Sequence, residues 1–121
     1  MSVFTGGKSG SIDSGVYIQL YGDVEKKLKK SFTHDTKFDK YHADVFSLEM
    51  TSLGTLYALK VRHDNVGVYN EWNLDRIEIC EDDFTYKFFC KNWLASSKKD
   101  GKIERTLIEE NALQQFDEFD F

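Results

Sequence analysis

Hydrophobic and polar residues alternate with a period of two along most of this chain. Val16, Ile18 and Leu20 form one such series, and residues 84–90 form another in which Phe84 and Phe88 share one parity. Side chains of a strand point alternately to its two faces, so this pattern is typical of antiparallel sheets with one face in a core. The chain is therefore predicted to be all-β.

The pattern divides into eight predicted strands, separated by turns of Gly, Asn and Asp because the chain contains no proline. The predicted strands are 2–5, 15–21, 26–32, 44–50, 55–63, 73–81, 84–90 and 103–108. Their regular spacing favours a sandwich or a barrel. A change of parity between Leu74 and Ile77 predicts a β-bulge. Residues 107–116 are the best helix candidate, although their acidic continuation is more typical of a tail.

Composition narrows the class of protein. With 121 residues, 40% of them hydrophobic, the chain is expected to form one domain with a real core. It has no apolar run long enough to span a membrane and no visible signal peptide, so we expect a cytoplasmic protein. If Asp82 and Asp83 form a hairpin turn, Cys80 faces Thr85 and lies too far from Cys90 for a disulfide. Both cysteines are expected to be reduced and buried.

The charge is unevenly distributed. All Lys and Arg residues precede residue 109, whereas 109–121 contains only acidic charges. The preceding residues are neutral overall, which argues against a nucleic-acid partner because such binding needs a strong positive field. The notable basic patch lies within residues 25–40.

A set of short landmarks occurs in a specific order. They are Gly22 after a strand, Leu53-Gly54-Thr55 before a long strand, His63-Asp64-Asn65, Trp72-Asn73-Leu74, Trp93-Leu94-Ala95 and Asp100-Gly101-Lys102. In this order and spacing, the set resembles the PLAT (polycystin, lipoxygenase, alpha-toxin) or LH2 domain. It is most similar to the tandem repeats of lipoxygenase homology domain-containing proteins.

The resemblance implies an eight-stranded antiparallel β-sandwich of two four-stranded sheets. It places the domain at 1–108, with a shortened first strand, and leaves 109–121 as an acidic tail or linker. It further implies a docking module that brings a larger protein to membranes or partners, often with calcium, and that performs no catalysis. The chain departs from the family where Ser9 replaces a common acidic residue and where 11–14 replace a Gly-Thr-Asp-Ala motif.

Calcium binds six to eight oxygens gathered from loops. By resemblance, the loop after the first strand and the loop beginning at Asp64 lie at one end of the sandwich. The candidate metal ligands are Asp64, Asn65, Ser9, Ser11, Asp35 and Asp13. Because serines replace family carboxylates, we expect weak affinity for Ca²⁺. The alternative is that Asp64 and Asp13 cap turns by hydrogen bonding to the backbone.

Membrane contact requires apolar loop tips flanked by cations. The candidate contact residues are Val66, Val68, Tyr69, Lys26, Lys27, Lys29 and Lys30. Alternatively, the valines pack back onto the sandwich and the lysines protect an edge strand from aggregation. A partner protein is an equally open occupant of the same surface.

Catalysis is not expected. The three histidines, His34, His42 and His63, form no zinc motif with each other or with the cysteines, and no nucleophile elbow or phosphate loop is present. Trp72 is expected in the core, and Trp93 is expected to cover one end with partial exposure. The sequence thus predicts a non-catalytic module that recruits a larger protein to anionic membrane lipids as a peripheral protein. The alternative is a protein–protein adaptor, one unit of a tandem PLAT array.

Overall fold

The computed structural model describes residues 1–6, 15–23, 28–32, 43–47, 53–64, 71–97 and 100–112, with the backbone alone for 28–32. The strands are β1 (Ser2–Thr5), β2 (Val16–Gly22), β3 (Leu28–Phe32), β4 (Ala43–Val45), β5 (Leu56–His63), β6 (Trp72–Glu81), β7 (Phe84–Leu94) and β8 (Glu104–Ile108). In these residues, no helix is long and apolar enough to cross a membrane.

The strands form two antiparallel sheets, which confirms the predicted all-β sandwich. Sheet A has the order β4-β1-β6-β7, and sheet B has the order β3-β2-β5-β8. Within the described ranges, seven strands have four or more residues, whereas β4 is a three-residue pairing with β1. The prediction of eight full strands is therefore one too many for the described residues, because within 43–47 only this short pairing is present.

The core lies between the sheets and is built from the predicted alternate positions. Val16, Ile18 and Leu20 of β2 face inward, and Tyr17, Gln19 and Tyr21 are half-buried on the outside. Trp72 is fully buried, as predicted, and its indole N–H donates to the hydroxyl of buried Thr5 at 3.1 Å. Burial of a Trp ring is favourable only when its polar N–H keeps a partner, and Thr5 supplies it.

The predicted bulge is present. The register between β6 and β7 shifts between Leu74 and Arg76, and Lys91 in the facing part of β7 has a φ of 49°. The bulge changes the parity of β6, so that Trp72 and Leu74 share the inner face with Ile77. β7 continues through this irregularity to Leu94, so Trp93 lies half-buried inside the strand rather than beyond its end.

The cysteines are free, and Cys80 faces Thr85 as predicted. The expectation that both are buried is wrong for Cys80, which is exposed because it shares the outer face of β6 with Glu78. Cys90 is half-buried against the core. Burial raises the pKa of its thiol to about 11, so Cys90 remains protonated at neutral pH.

The predicted helix 107–116 does not begin at Leu107, which belongs to β8. A helical turn is described at 110–112 instead. Its N-terminus is capped by buried Glu109, whose carboxylate accepts the backbone N–H groups of Asn111 and Ala112 at 2.9 and 3.1 Å. A carboxylate is a favourable cap because it satisfies donors that the first helical turn leaves unpaired.

Replacing Thr5 by Val keeps the side-chain shape but leaves the indole N–H of buried Trp72 without its acceptor. We expect the free energy of unfolding to fall by about 1–3 kcal/mol, the cost of an unsatisfied buried donor. Urea denaturation followed by tryptophan fluorescence measures the change. The matched control is Thr106→Val, because Thr106 is an exposed residue of β8. For this variant we expect the free energy of unfolding to change by no more than about 0.5 kcal/mol. Equal losses in both variants contradict this role for Thr5.

Candidate functional site: the loop rim

Antiparallel pairing brings several strand ends to one end of the sandwich. Val16 at the start of β2 pairs with His63 at the end of β5, and Trp72 at the start of β6 pairs with Leu94 at the end of β7. We call this end the loop rim, defined by Thr5–Gly6, Gly15, His63–Asp64, Glu71–Trp72 and Leu94–Ala95. These residues flank 7–14 and 65–70, which contain most of the predicted site residues.

Asp64 forms hydrogen bonds with Gly15 that join two segments of the loop rim. Its backbone N–H donates to the carbonyl of Gly15 at 3.0 Å, and its carboxylate accepts the N–H of Gly15 at 3.1 Å. A Cβ atom on residue 15 would lie 2.8 Å from the carboxylate Oδ2 of Asp64, so a larger residue here would displace the Asp64 side chain. The alternative prediction of a side-chain-to-backbone bond from Asp64 is therefore observed, but the bond crosses to another strand instead of capping a local turn.

His63 joins the two sheets at the loop rim. Its ring is fully buried, with Nε2 2.7 Å from the carbonyl oxygen of Leu94. A carbonyl only accepts, so Nε2 carries the proton and donates it. Burial lowers the pKa of His63, and this effect outweighs the opposing effects of the Leu94 hydrogen bond and the nearby Asp64 carboxylate. His63 is thus a neutral structural residue at physiological pH.

Two further contacts fix the sheet A side of the loop rim. The N–H of Gly6 donates to the carbonyl of Asn73 at 2.7 Å, and a Cβ on Gly6 would collide with the Asn73 side chain. The hydroxyl of Ser97 donates to the carboxylate of Glu71 at 3.0 Å. The chain on either side of 7–14 and 65–70 is therefore held by hydrogen bonds to the sandwich.

Arg105 closes the seam between β7 and β8 beside the loop rim. Its guanidinium donates twice to the carbonyl of Trp93, at 3.0 and 2.8 Å, and forms an ion pair with Asp100 at 2.9 Å. This hydrogen-bonded pairing lowers the pKa of the Asp100 carboxyl. Asp100 also accepts the backbone N–H of Lys102 at 3.1 Å, which stabilises the turn before β8.

The structure places three of the predicted site residues. Asp64 lies at the loop rim, and Lys29 and Lys30 lie on β3, an edge strand of sheet B. By register, Lys29 is opposite Gln19 on the outer face and Lys30 is opposite the core residue Ile18. The remaining predictions lie outside the described residues: Asn65, Ser9, Ser11, Asp35, Asp13, Val66, Val68, Tyr69, Lys26 and Lys27.

The described part of the loop rim supplies one of the predicted oxygen ligands for a cation. Asp64 is compatible with that role, because a carboxylate that accepts one backbone N–H still has further acceptor sites. Among the described residues, no group of three or more His, Cys, Asp or Glu side chains is arranged to hold a metal ion. The full calcium ligand set therefore stays a prediction.

Sequence reasoning missed the roles of Gly15, Lys60 and Arg62. The glycine could not be identified as the partner of Asp64, because the two are separated by 49 positions in the chain. Lys60 and Arg62 alternate with core residues of β5, and this alternation did signal that they share the outer face of the sandwich.

Two packed antiparallel sheets whose strand ends form the loop rim define a β-sandwich domain of the kind that presents loops to a ligand. The PLAT/LH2 domain model matches residues 1–108, so the chain belongs to this family, as its landmarks had indicated. Lipoxygenase homology domain-containing protein 1 of Mus musculus is 38% identical over 116 residues, covering 90% of this chain and 6% of that protein. Polycystin-1-like protein 3 of Homo sapiens is 32% identical over 114 residues, covering 89% and 7%. The chain thus spans a small fraction of these relatives.

Solved structures share the fold. A lipoxygenase in complex with arachidonate matches with a TM-score of 0.74 at 15% identity, over 98% of this chain and 19% of that chain. Coral 8R-lipoxygenase, described as calcium-activated through a C2-like domain, matches with a TM-score of 0.66 at 20% identity, over 89% and 16%. At these identities, the likeness establishes the architecture and leaves the ligand to be argued from this chain.

The lowered pKa of His63 predicts how stability depends on pH. The folded state resists protonation of His63, so stability is fully present above the ordinary histidine pKa of about 6.5 and is lost as pH falls below it. Urea denaturation between pH 7.5 and 5 measures this loss. His63→Gln does not titrate, so we expect its stability to be lower at pH 7.5 but to fall less steeply. Parallel pH profiles for the two proteins contradict the assignment.

Proposed function

We propose that this domain is a non-catalytic module that attaches a larger protein to anionic membrane surfaces through the loop rim, with weak assistance from Ca²⁺. The non-catalytic part is supported by the family, whose members occur as docking domains within longer proteins. The membrane part is supported by the arrangement of the loop rim and by the composition of the segments attached to it.

The observation that carries the proposal is the junction between Asp64 and Gly15. Residues 7–14 end at Gly15 and residues 65–70 begin after Asp64, and the two flanks are joined by a pair of hydrogen bonds. The neutral oxygens of the first segment and the apolar side chains of the second are thus attached at one junction. A peripheral module needs this combination of an ion site beside an apolar tip.

Weak calcium binding follows from the number of charges. Calcium affinity rises with the number of carboxylate ligands, and by the family resemblance Ser9 stands in place of a common acidic residue. Coral 8R-lipoxygenase is described as activated by calcium through a C2-like domain of this fold. We propose the same ion for this chain, with Asp64 as its central carboxylate and with lower affinity.

A second candidate function, protein–protein contact, is favoured by the outer face of sheet A. Val45 is 74% exposed and Phe89 is 40% exposed, and both lie on that face. The two residues lie on opposite edge strands of sheet A, so a partner that contacts both would cover the whole face. An adaptor would bind its protein partner through this face, and its loop rim would not contact lipid.

Vesicle co-sedimentation separates the two candidates. We expect the domain to bind vesicles containing phosphatidylserine and to bind pure phosphatidylcholine weakly. Tyr69→Ala is expected to lower the affinity about tenfold, because an apolar anchor of about 1.5 kcal/mol is lost. The matched control is Phe84→Ala, since Phe84 is 48% exposed on sheet A at the end of the sandwich opposite the loop rim. The adaptor role is supported instead if the domain binds no vesicle and binds a protein partner that the Phe89→Ser variant no longer binds.

Calcium is tested by thermal denaturation with increasing CaCl₂. A bound ion stabilises the folded state, by about 2.7 kcal/mol at 100 times the dissociation constant, so the midpoint is expected to rise at millimolar Ca²⁺. Asp64→Asn keeps an oxygen for the Gly15 N–H but removes the charge, and it should abolish the rise. Asp83→Asn at the opposite hairpin tip is the control and should retain it. An unchanged midpoint for the wild type at millimolar Ca²⁺ contradicts the metal part alone.

A further inference from the structure

Strand register gathers cations on the outer face of sheet B. Lys60 and Arg62 are two residues apart on β5 and alternate with the core residues Leu59, Val61 and His63, so both belong to the outer face. Lys60 pairs with Gln19, whose other neighbour across the sheet is position 29 of β3, also a lysine. Two strand spacings separate Lys29 from Lys60, about 10 Å between the backbones.

The charges of Lys60 and Arg62 are not neutralised within the described residues. Neither forms an ion pair there, whereas Arg76 pairs with Asp75 and Glu78, and Arg105 pairs with Asp100. Glu104 is the register partner of Arg62 on β8 and is the acidic residue that the described strands place on this face. The outer face of sheet B therefore has an excess of positive charge.

Tyrosines lie between these cations. The guanidinium of Arg62 stacks over the ring of Tyr17 at 4.1 Å from the centroid, which orients its N–H groups across the surface. Tyr21 packs near Tyr57 with a centroid distance of 6.3 Å, and its hydroxyl accepts from the Gln19 amide at 2.7 Å. Tyr rings with adjacent cations are typical of surfaces that meet lipid head groups, since the ring is apolar and its hydroxyl is polar.

The outer face of sheet A does not share this character. Arg76 is held by two carboxylates, and Lys87 faces Glu78 across the strands. Positive and negative charges are therefore balanced on one side of the sandwich and unbalanced on the other. A neutral body with such an asymmetry has a preferred orientation in the field of an anionic surface.

We propose that the outer face of sheet B is a second membrane-contact surface, in which Lys60 and Arg62 bind the phosphate-bearing head groups of an anionic bilayer. This inference rests on the proposed attachment to membranes and adds a specific orientation to it. Arg62 directly precedes His63 and Asp64, so the cationic face is continuous with the loop rim. The domain lies tilted on the bilayer, with the loop rim and this face in contact with it together.

The partner of this face is a lipid surface, because positive charges and tyrosine rings occur together on it. Charge complementarity requires an anionic partner. Tyrosines spread along the outer face of sheet B, from Tyr17 near the loop rim to Tyr21 and Tyr57 at the other end, match an extended interface better than a single small anion. Each Lys or Arg near an anionic membrane contributes about 1 kcal/mol, which corresponds to about fivefold in affinity. The contribution is screened by salt, so binding should weaken as ionic strength rises.

The test is co-sedimentation with vesicles of phosphatidylcholine and phosphatidylserine in a chelator, which removes any contribution from Ca²⁺. Lys60→Gln combined with Arg62→Gln is expected to lower the affinity about 25-fold. Lys87→Gln combined with Lys91→Gln removes the same charge from β7 of the other sheet and should lower it less than twofold. Arg62→Lys keeps the charge and should retain most of the binding. Circular dichroism spectra and unfolding midpoints establish that each variant is folded.

The outcomes distinguish this inference from the function on which it rests. If the wild type binds vesicles and Tyr69→Ala weakens binding while the Lys60 and Arg62 pair does not, the second surface is wrong and the loop-rim function stands. If both double variants lose affinity equally, the effect is one of net charge and the inference is wrong. If the domain binds heparin as tightly as vesicles, and the same variants lose heparin binding, the face recognises soluble polyanions and the inference of a membrane surface is wrong. If the wild type binds no vesicle, both proposals fail.

Discussion

Burial of one face of every strand between two sheets is the constraint on which the rest of this structure depends. Because the side-chain period of a strand is two, placing Val16, Ile18 and Leu20 in the core also decides that the intervening residues face water. A slip of one residue would exchange the two sets, so the register is strongly specified. The positions of the loop rim and of the outer faces follow from this register. The hydrogen bond of buried His63 to the Leu94 carbonyl then joins the sheets at the end where the ligand-bearing segments are attached.

The residues that stabilise the domain are different from those that we propose for recognition. Its most buried polar contacts, between Trp72 and Thr5 and between His63 and Leu94, hold the sandwich together and offer no group to a ligand. We propose that recognition uses groups that the core does not need, which are the segments attached at Asp64 and the cations of the outer face of sheet B. Membership of the PLAT/LH2 family is consistent with this division, since a rigid sandwich can carry variable loops without loss of its core. Within such a family, affinity for calcium and lipid can change through a few side chains.

The sequence indicated some residues of the candidate site, and the limits have physical causes. Asp64 was predicted from the resemblance to the PLAT domain, and the two lysines of β3 were predicted from the basic patch within residues 25–40; their binding roles stay predictions. The pairing of Asp64 with Gly15 was not predictable, since it joins residues 49 positions apart in the chain. The prediction that Cys80 is buried was wrong because it rested on residue type alone. Cys80 lies two residues after Glu78 in β6, and this spacing places both residues on the outer face.

The amino-acid sequence by itself determined the class of fold, the inner positions of β2 and the β6 bulge. These depend on contacts between near neighbours, and alternation or turn residues encode them locally. The tertiary structure alone decided which strands pair, for example β1 between β4 and β6 and β8 beside β5. It also decided that Lys60 and Arg62 share one outer face while Arg76 is neutralised on the other. Pairing of distant strands is a property of the whole core, because its free energy comes from burying all the inner faces at once, and no single segment carries that information.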